Sequence, residues 1–318
     1  MTEKTARKNK RATAASFGMI VLFLILLLLK NPTVATECVA KGLALCARAV
    51  IPALFPFMVL SELLIACGFG EFFGERLGKP LSALFGISRE SSAAIFLGFL
   101  CGFPVGAKMA VSLYDKGRIT RRECERLLGF CNLPSIAFLV STVGVSLYGS
   151  RAFGILLWLA AMTSACVVGI LSRKKEATLK EASPCALPPL SVSTFTSAIA
   201  SAITAMLSIC AYILFFGTVL GCLAHTLADL AVPAWIRTLL YGFFELTSGI
   251  DAAASLSNRL LSVILSALAV GWSGLSIHCQ LITLCDGREL SYRFYFFARL
   301  AEALICALLT LIFFPFCF

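Results

Sequence analysis

Charged residues are scarce in this chain, at 14% of its 318 positions, and histidine is scarcer still, with two. No two cysteines stand in a CxxC spacing. Each shortage excludes something. So few charges could not cover the surface of a soluble fold of this length, and no soluble domain is left to carry the basic excess onto nucleic acid. With only His225 and His278 available, a zinc site lacks a ligand set. The fourteen cysteines include Cys67, Cys101, Cys166, Cys210 and Cys306 inside apolar runs. They are expected to be buried thiols acting as small hydrophobes, because disulfide frameworks belong to small secreted domains. No nucleophile and base stand in a catalytic spacing, so no enzyme activity, metal or cofactor is expected.

What is abundant is apolar. Hydrophobic residues make up 59% of the chain and the mean hydropathy is +0.92. Several runs approach the roughly 20 residues of helix that span a bilayer. The expected fold is an all-α polytopic membrane protein. About eight to ten membrane segments are expected from the run lengths. The net charge of +10 concentrates in residues 1–16, 116–126 and 173–180, which read as cytoplasmic flanks under the positive-inside rule.

Taken in order, a basic tail (1–16) precedes an apolar anchor (17–29) that ends at Lys30-Asn31-Pro32. Residues 34–50 are amphipathic, Pro52 and Pro56 kink the start of the next apolar segment, and Glu62 sits near its middle. Residues 71–79 fit a loop or a surface helix. Thr120-Arg121-Arg122-Glu123 has capping-box spacing and opens a short basic helix, closed by Asn132-Leu133-Pro134-Ser135. Residues 173–190, polar and then proline-rich, form the one clear linker. It divides a first membrane repeat (17–172) from a second (191–318). In the second half, residues 234–250 form a segment holding Glu245, and the final segment starts near Leu304.

Two interruptions organise the whole. In Gly98–Lys108 (GFLCGFPVGAK), Gly102, Pro104 and Gly106 break what would be one apolar helix, since an interior proline costs about 3 kcal/mol. The second is Gly271–Gln280 (GWSGLSIHCQ). Irregular backbone at membrane depth is tolerated where it is buried in protein or lines a cavity. The halves share an order of parts: a membrane glutamate (Glu62, Glu245), a glycine-broken segment, a basic or titratable residue (Lys108, His278), and an Asp…Gly-Arg turn. Interrupted segments in corresponding positions point to a transporter's central site, whether as broken helices or as re-entrant hairpins. The expected substrate-binding set is Glu62, Gly102, Pro104, Gly106, Lys108, Asn132, Glu245, Gly271, Ser273, Gly274, Ser276, His278 and Gln280. Lys108 is the expected anion partner, because a cation in the first turn of a restarted helix opposes its dipole. Trp272 and Phe103 are the expected aromatic platform. Arg48, Arg299 and Glu302 rank below these.

The strings FPFMVLSELL (55–64), GFPVGAK (102–108), ERLLGFCN (125–132), GFFELTSGI (242–250) and GWSGLSIHCQ (271–280) resemble YlbJ-type sporulation integral membrane proteins of the nucleoside-recognition, or Gate, superfamily. That superfamily also includes domains of nucleoside and ferrous-iron transporters. The resemblance implies movement of dipicolinic acid from the mother cell across the outer forespore membrane. The expected partners are therefore a small anionic substrate and the lipid bilayer, with no nucleic acid and a homo-oligomer left open. A nucleoside-type transporter is the alternative in the same class, and a non-transporting scaffold of a sporulation complex is the alternative in another.

Overall fold

The structure, a computed structural model, describes residues 3–174, 191–228 and 232–316, and among these every regular element is a helix. The 175–190 part of the expected linker lies outside the described residues. α1 (Glu3–Lys30) makes the basic segment and the anchor one continuous helix, so the tail is helical from Glu3. Ala, Lys and Arg are strong helix formers, which lets the apolar helix propagate back through them.

α2 (Pro32–Leu45), a π-helical turn (Cys46–Val50) and α3 (Ile51–Ala66) run as one span. The wider turn falls immediately before Pro52, whose missing donor would otherwise interrupt an α-helical ladder. The span is therefore continuous where the two prolines suggested separate segments. It lies antiparallel to α9 (Val192–Thr226): Asn31 Nδ2 donates to Thr226 Oγ1 at 2.9 Å, and Gly42 packs on Leu214. α4 (Phe69–Phe85) is the helical form of the expected loop or surface helix.

The remaining elements fall into two matching sets. In the first, α5 (Ser92–Cys101) and α6 (Val105–Asp115) form a helical hairpin. An interrupted span follows, α7 (Arg121–Phe130), irregular residues 131–135 and a π-helical stretch (Phe138–Leu147), and then the full-length α8 (Arg151–Leu171). In the second, α10 (Ala234–Phe244) and α11 (Leu246–Ala254) form the hairpin. The interrupted span is α12 (Arg259–Trp272) with α13 (Gly274–Leu284), and α14 (Arg293–Phe313) closes the set.

This alignment corrects the expected repeat. Gly102–Pro104 corresponds to Glu245 as a hairpin tip, and Ser273 corresponds to the 131–135 interruption. The segment 234–250 is broken at Glu245, whose backbone is extended (φ −145, ψ 122). Glu245 itself supplies the cap that lets a new helix begin there. Gly271 is not part of a break: it lets α12 approach the backbone of α14 at Ala303. The last span starts at Arg293 rather than near Leu304, and carries Arg299 and Glu302 inside it as an ion pair.

The two sets dock reciprocally. The turn after the second interrupted span meets the start of the first: Arg288 grips Asp115 through two oxygens at 2.7 and 2.5 Å, and Ser291 N donates to Glu125 at 2.7 Å. The turn after the first meets the start of the second: Tyr148 Oη bonds Ser262 and Ser266 at 2.7 Å, and Arg259 donates to the Tyr148 carbonyl at 3.1 Å. Between the sets the described residues hold one long apolar helix, α9, and one such traverse sets the second upside down relative to the first. The arrangement is an inverted repeat. It also reassigns the two Asp…Gly-Arg turns, which occupy different places in their repeats and bind each other across one face.

The Asp115–Arg288 contact holds the Asp115 carboxyl below the usual carboxylate range, chiefly through the hydrogen bonds from the guanidinium. A depressed folded pKa adds stability above the unfolded value, and that stability is lost as pH falls through the folded one. Asp115→Asn is therefore expected to lower the melting temperature at neutral pH and to match the wild type once pH drops below the folded pKa. Because the pair is partly exposed, the difference is small, about 0–1 kcal/mol. Parallel thermal melts in detergent from pH 7 downwards check it; a constant gap across the series overturns the assignment.

Candidate functional site

The interruptions converge. A cleft between them is lined by Phe103 from the first hairpin tip and by Pro134, Ser135 and Phe138 from the first interruption. Glu245, Leu246 and Thr247 line it from the second hairpin tip, and Ser276, Ile277 and Gln280 from the start of α13. Val50 and Leu54 from the first span, with Ile209 and Ile213 from α9, close the remaining wall. Clefts that are mainly apolar with a few convergent polar groups are the usual form of small-molecule sites.

Local sequence explains each tip. Gly102 has φ 78, a left-handed conformation that side chains rarely adopt, and a Cβ there would strike the backbone of Ser135. Phe103 N donates to Leu133 O at 2.7 Å, tying the tip to the interruption beside it. The Phe103–Pro104 bond is cis, and Pro104 precedes the first residue of α6. Gly98 and Gly106 let the two arms close on the Cys131 carbonyl, where a Cβ at either would overlap its oxygen. In the second half, Glu245 caps α11 with both carboxylate oxygens, Oε1 accepting from Thr247 N at 3.0 Å and Oε2 from Ser248 N at 2.6 Å. Ser273 (φ 75) and Gly274 (φ 82) are consecutive left-handed residues, and Gly274 packs against the Glu245 backbone. A serine in that region is costly backbone, of order 1–3 kcal/mol.

Of the expected residues, Glu245, Ser276 and Gln280 face the cleft, while Gly102, Pro104 and Gly274 shape its rim. Ser276 and Gln280 are one turn apart on α13 and share a face. His278, two residues from Ser276, projects the opposite way. It is fully buried, with Nδ1 2.6 Å from Tyr295 Oη and its ring against Trp272. His278 is thus outside the cleft, as is Trp272, which stacks on Phe243 and donates to its carbonyl at 3.0 Å. Of the expected platform, Phe103 alone is in place.

Lys108 and Glu62 are also elsewhere. Lys108 Nζ lies 2.5 Å from Glu62 Oε1 and 3.0 Å from Ser201 Oγ, two residues that line a second cleft together with Ser193, Thr194 and Ser197. The apparent mismatch of a cation with its helix dipole is answered by a carboxylate from α3, so Lys108 does not touch the central cleft. Among the described residues that line that cleft, none is a cation.

Sequence reasoning underrated Arg299. Its side chain is completely buried on α14 and pairs with Glu302 one turn on. Nη1 donates to Asn132 O at 2.9 Å and to Ser273 Oγ at 3.2 Å, and Nη2 donates to Gly129 O at 3.1 Å. One guanidinium therefore joins both interrupted spans, at carbonyls that a helix end leaves without partners. The signal available in the sequence was an Arg and a Glu three residues apart within an apolar run. Asn132 contributes its carbonyl to this clamp, while its side-chain amide is buried without a protein partner. Among the described residues no group of three or more His, Cys, Asp or Glu side chains is placed to hold a metal ion.

Five described helices or helical runs, Pro32–Ala66, Arg151–Leu171, Val192–Thr226, Arg259–Leu284 and Arg293–Phe313, are long and apolar enough to cross a membrane. With two hairpins between interrupted spans, they define a multi-pass integral membrane protein of the all-α class. The chain is 26% identical to the sporulation integral membrane protein YlbJ of Bacillus subtilis, over 92% of its own length and 80% of that protein's. No protein-family model matches the chain, and no solved structure matches it.

Proposed function

We propose that this protein carries a small planar organic anion, dipicolinic acid in a forming spore, through the cleft between its two hairpin tips. The observation that supports this is the convergence of both tips and both interruptions on one cleft in an inverted repeat. Such repeats exchange two arrangements around a fixed central site, so that the site opens alternately to either side. The short start of α13 offers free N–H groups to a carboxylate, Ser276 and Gln280 add hydrogen bonds, and Phe103 gives the ring a flat face. The proposed location is the outer forespore membrane, with residues 116–126 on the mother-cell cytoplasmic side.

Glu245 sets a condition on loading. Two carboxylates a few ångström apart repel by about 4 kcal/mol at an effective dielectric of 20. The anion therefore enters together with a proton, on itself or on Glu245. Glu245→Gln is expected to keep dipicolinate binding and to make uptake into proteoliposomes independent of an imposed pH gradient. Uptake by that variant that still follows the gradient as the wild type does would remove Glu245 from the coupling.

A neutral nucleoside or nucleobase is the second reading. It is favoured by the absence of a cation from the cleft and by its neutral polar groups. Uptake of labelled dipicolinate, uridine and adenine by the same proteoliposomes separates the two. Transport of none of them returns the protein to a scaffold role.

A further inference from the structure

We propose that the Glu62–Lys108 pair is an exchangeable first station for a small carboxylate, which takes the place of Glu62 on the Lys108 ammonium before reaching the central cleft. The proposal rests on the carrier reading above and adds a second binding position to it. The pair is not sealed inside the fold: the Lys108 and Glu62 side chains keep 21% and 17% of their exposure. Glu62, with Lys108 bonded to it, is the charged residue lining an open cleft whose other polar side chains are hydroxyls. Lys108 already makes two contacts in different directions, to Glu62 and to Ser201. A lysine ammonium carries three donors, so an arriving carboxylate can bind before Glu62 leaves, and the charge is never stranded. Buried charges without partners are the costly case, and a stepwise exchange avoids it.

The position of this cleft relative to the central one points the same way. Leu54 lines the central cleft and Glu62 the outer one, eight residues apart on α3. On the antiparallel α9, Ile209 lines the central cleft and Ser201 the outer one, again eight residues apart. At 1.5 Å per residue both helices place the two levels about 12 Å from each other. The outer cleft therefore sits one step along the same α3–α9 wall. The hairpin supplies a third link: Phe103 at its tip lines the inner cleft, and Lys108 on its second arm bonds Glu62 and Ser201 of the outer one.

An internal carboxylate that must be displaced is a competitor whose effective concentration is in the millimolar range or above. Removing its charge without its shape should therefore strengthen anion binding, which a purely structural ion pair would not do. Isothermal titration of dipicolinate into the full-length protein in detergent is the test, with the neutral diamide of dipicolinate as control. Glu62→Gln is expected to bind dipicolinate about tenfold more tightly than the wild type, by loss of that competitor. Lys108→Gln is expected to lose the outer-station binding, Lys108→Arg to retain part of it, and the diamide to show no change among variants. Ser201→Ala leaves the pair intact and is expected to weaken binding severalfold, which keeps the test open if a charge variant fails to fold. Unchanged or weaker binding by folded Glu62→Gln overturns the proposal, as does unchanged binding by Ser201→Ala when Glu62→Gln does not fold. Tighter binding by Glu62→Gln in a protein that transports nothing would keep the station and overturn the carrier reading instead.

Discussion

Arg299→Met is expected to be the most damaging single substitution in the molecule, lowering stability by about 3–5 kcal/mol through the loss of one partner of a buried pair. The Glu302 carboxylate would remain at zero exposure without its cation. The carbonyls of Gly129 and Asn132 would lose the donor that completes the α7 end. Glu302→Leu alone should be comparably harmful, because it strands the guanidinium. The double variant Arg299→Met/Glu302→Leu is expected to recover most of the stability, since an apolar replacement of a buried pair is often neutral or better. It should not recover transport, because the guanidinium that joins the two interruptions would be gone. Thermal midpoints of the three purified variants, with uptake normalised to monodisperse protein, decide the matter. A stable Arg299→Met single variant would show that the clamp is dispensable for folding. Full transport by the double variant would remove its role in shaping the cleft.

Gly106→Ala should come next in size. A Cβ there would lie 2.8 Å from the Gly98 Cα and would overlap the Cys131 carbonyl oxygen. Both neighbours are backbone, so no side chain can rotate away, and overpacking of this kind costs about 1–3 kcal/mol. Gly217→Ala is the matched control, since its nearest neighbour is the Ser248 hydroxyl at 3.7 Å within the long α9. There alanine gains helix propensity of up to about 1 kcal/mol over glycine, so the melting temperature should hold or rise. Equal losses from both substitutions would mean that the hairpin arms are not packed at the Cys131 carbonyl as described.

Much of this protein was open to a reader of its sequence. Apolar runs of bilayer length dictate helices, because backbone polar groups in hydrocarbon must be satisfied within the segment. The Thr120 cap was equally legible, its hydroxyl accepting from Glu123 N at 3.1 Å. Other partners of Glu123 were not: its carboxylate accepts from Ser88 N at 2.5 Å and Ser91 Oγ at 2.6 Å, more than thirty residues back along the chain. Gly102 and Pro104 announced a break because neither suits a helix interior.

Tertiary structure alone decided which breaks correspond and which charges matter. Glu245 carries no helix-breaking signature, and it ends a helix only because the two N–H groups of Thr247 and Ser248 find its carboxylate. Lys108 looked unpaired along the chain because its partner lies 46 residues away on another helix. His278 and Ser276 are two residues apart, yet only Ser276 meets the cleft, since helix geometry sends them to opposite faces. Arg299 ranked below the other candidates in the sequence. Its role exists only where α7 and α12 both end beside α14, so that one planar guanidinium reaches the carbonyls and hydroxyl of two interrupted spans. Hydropathy and propensity are properties of neighbours in sequence, whereas ion pairs and clefts belong to neighbours in space.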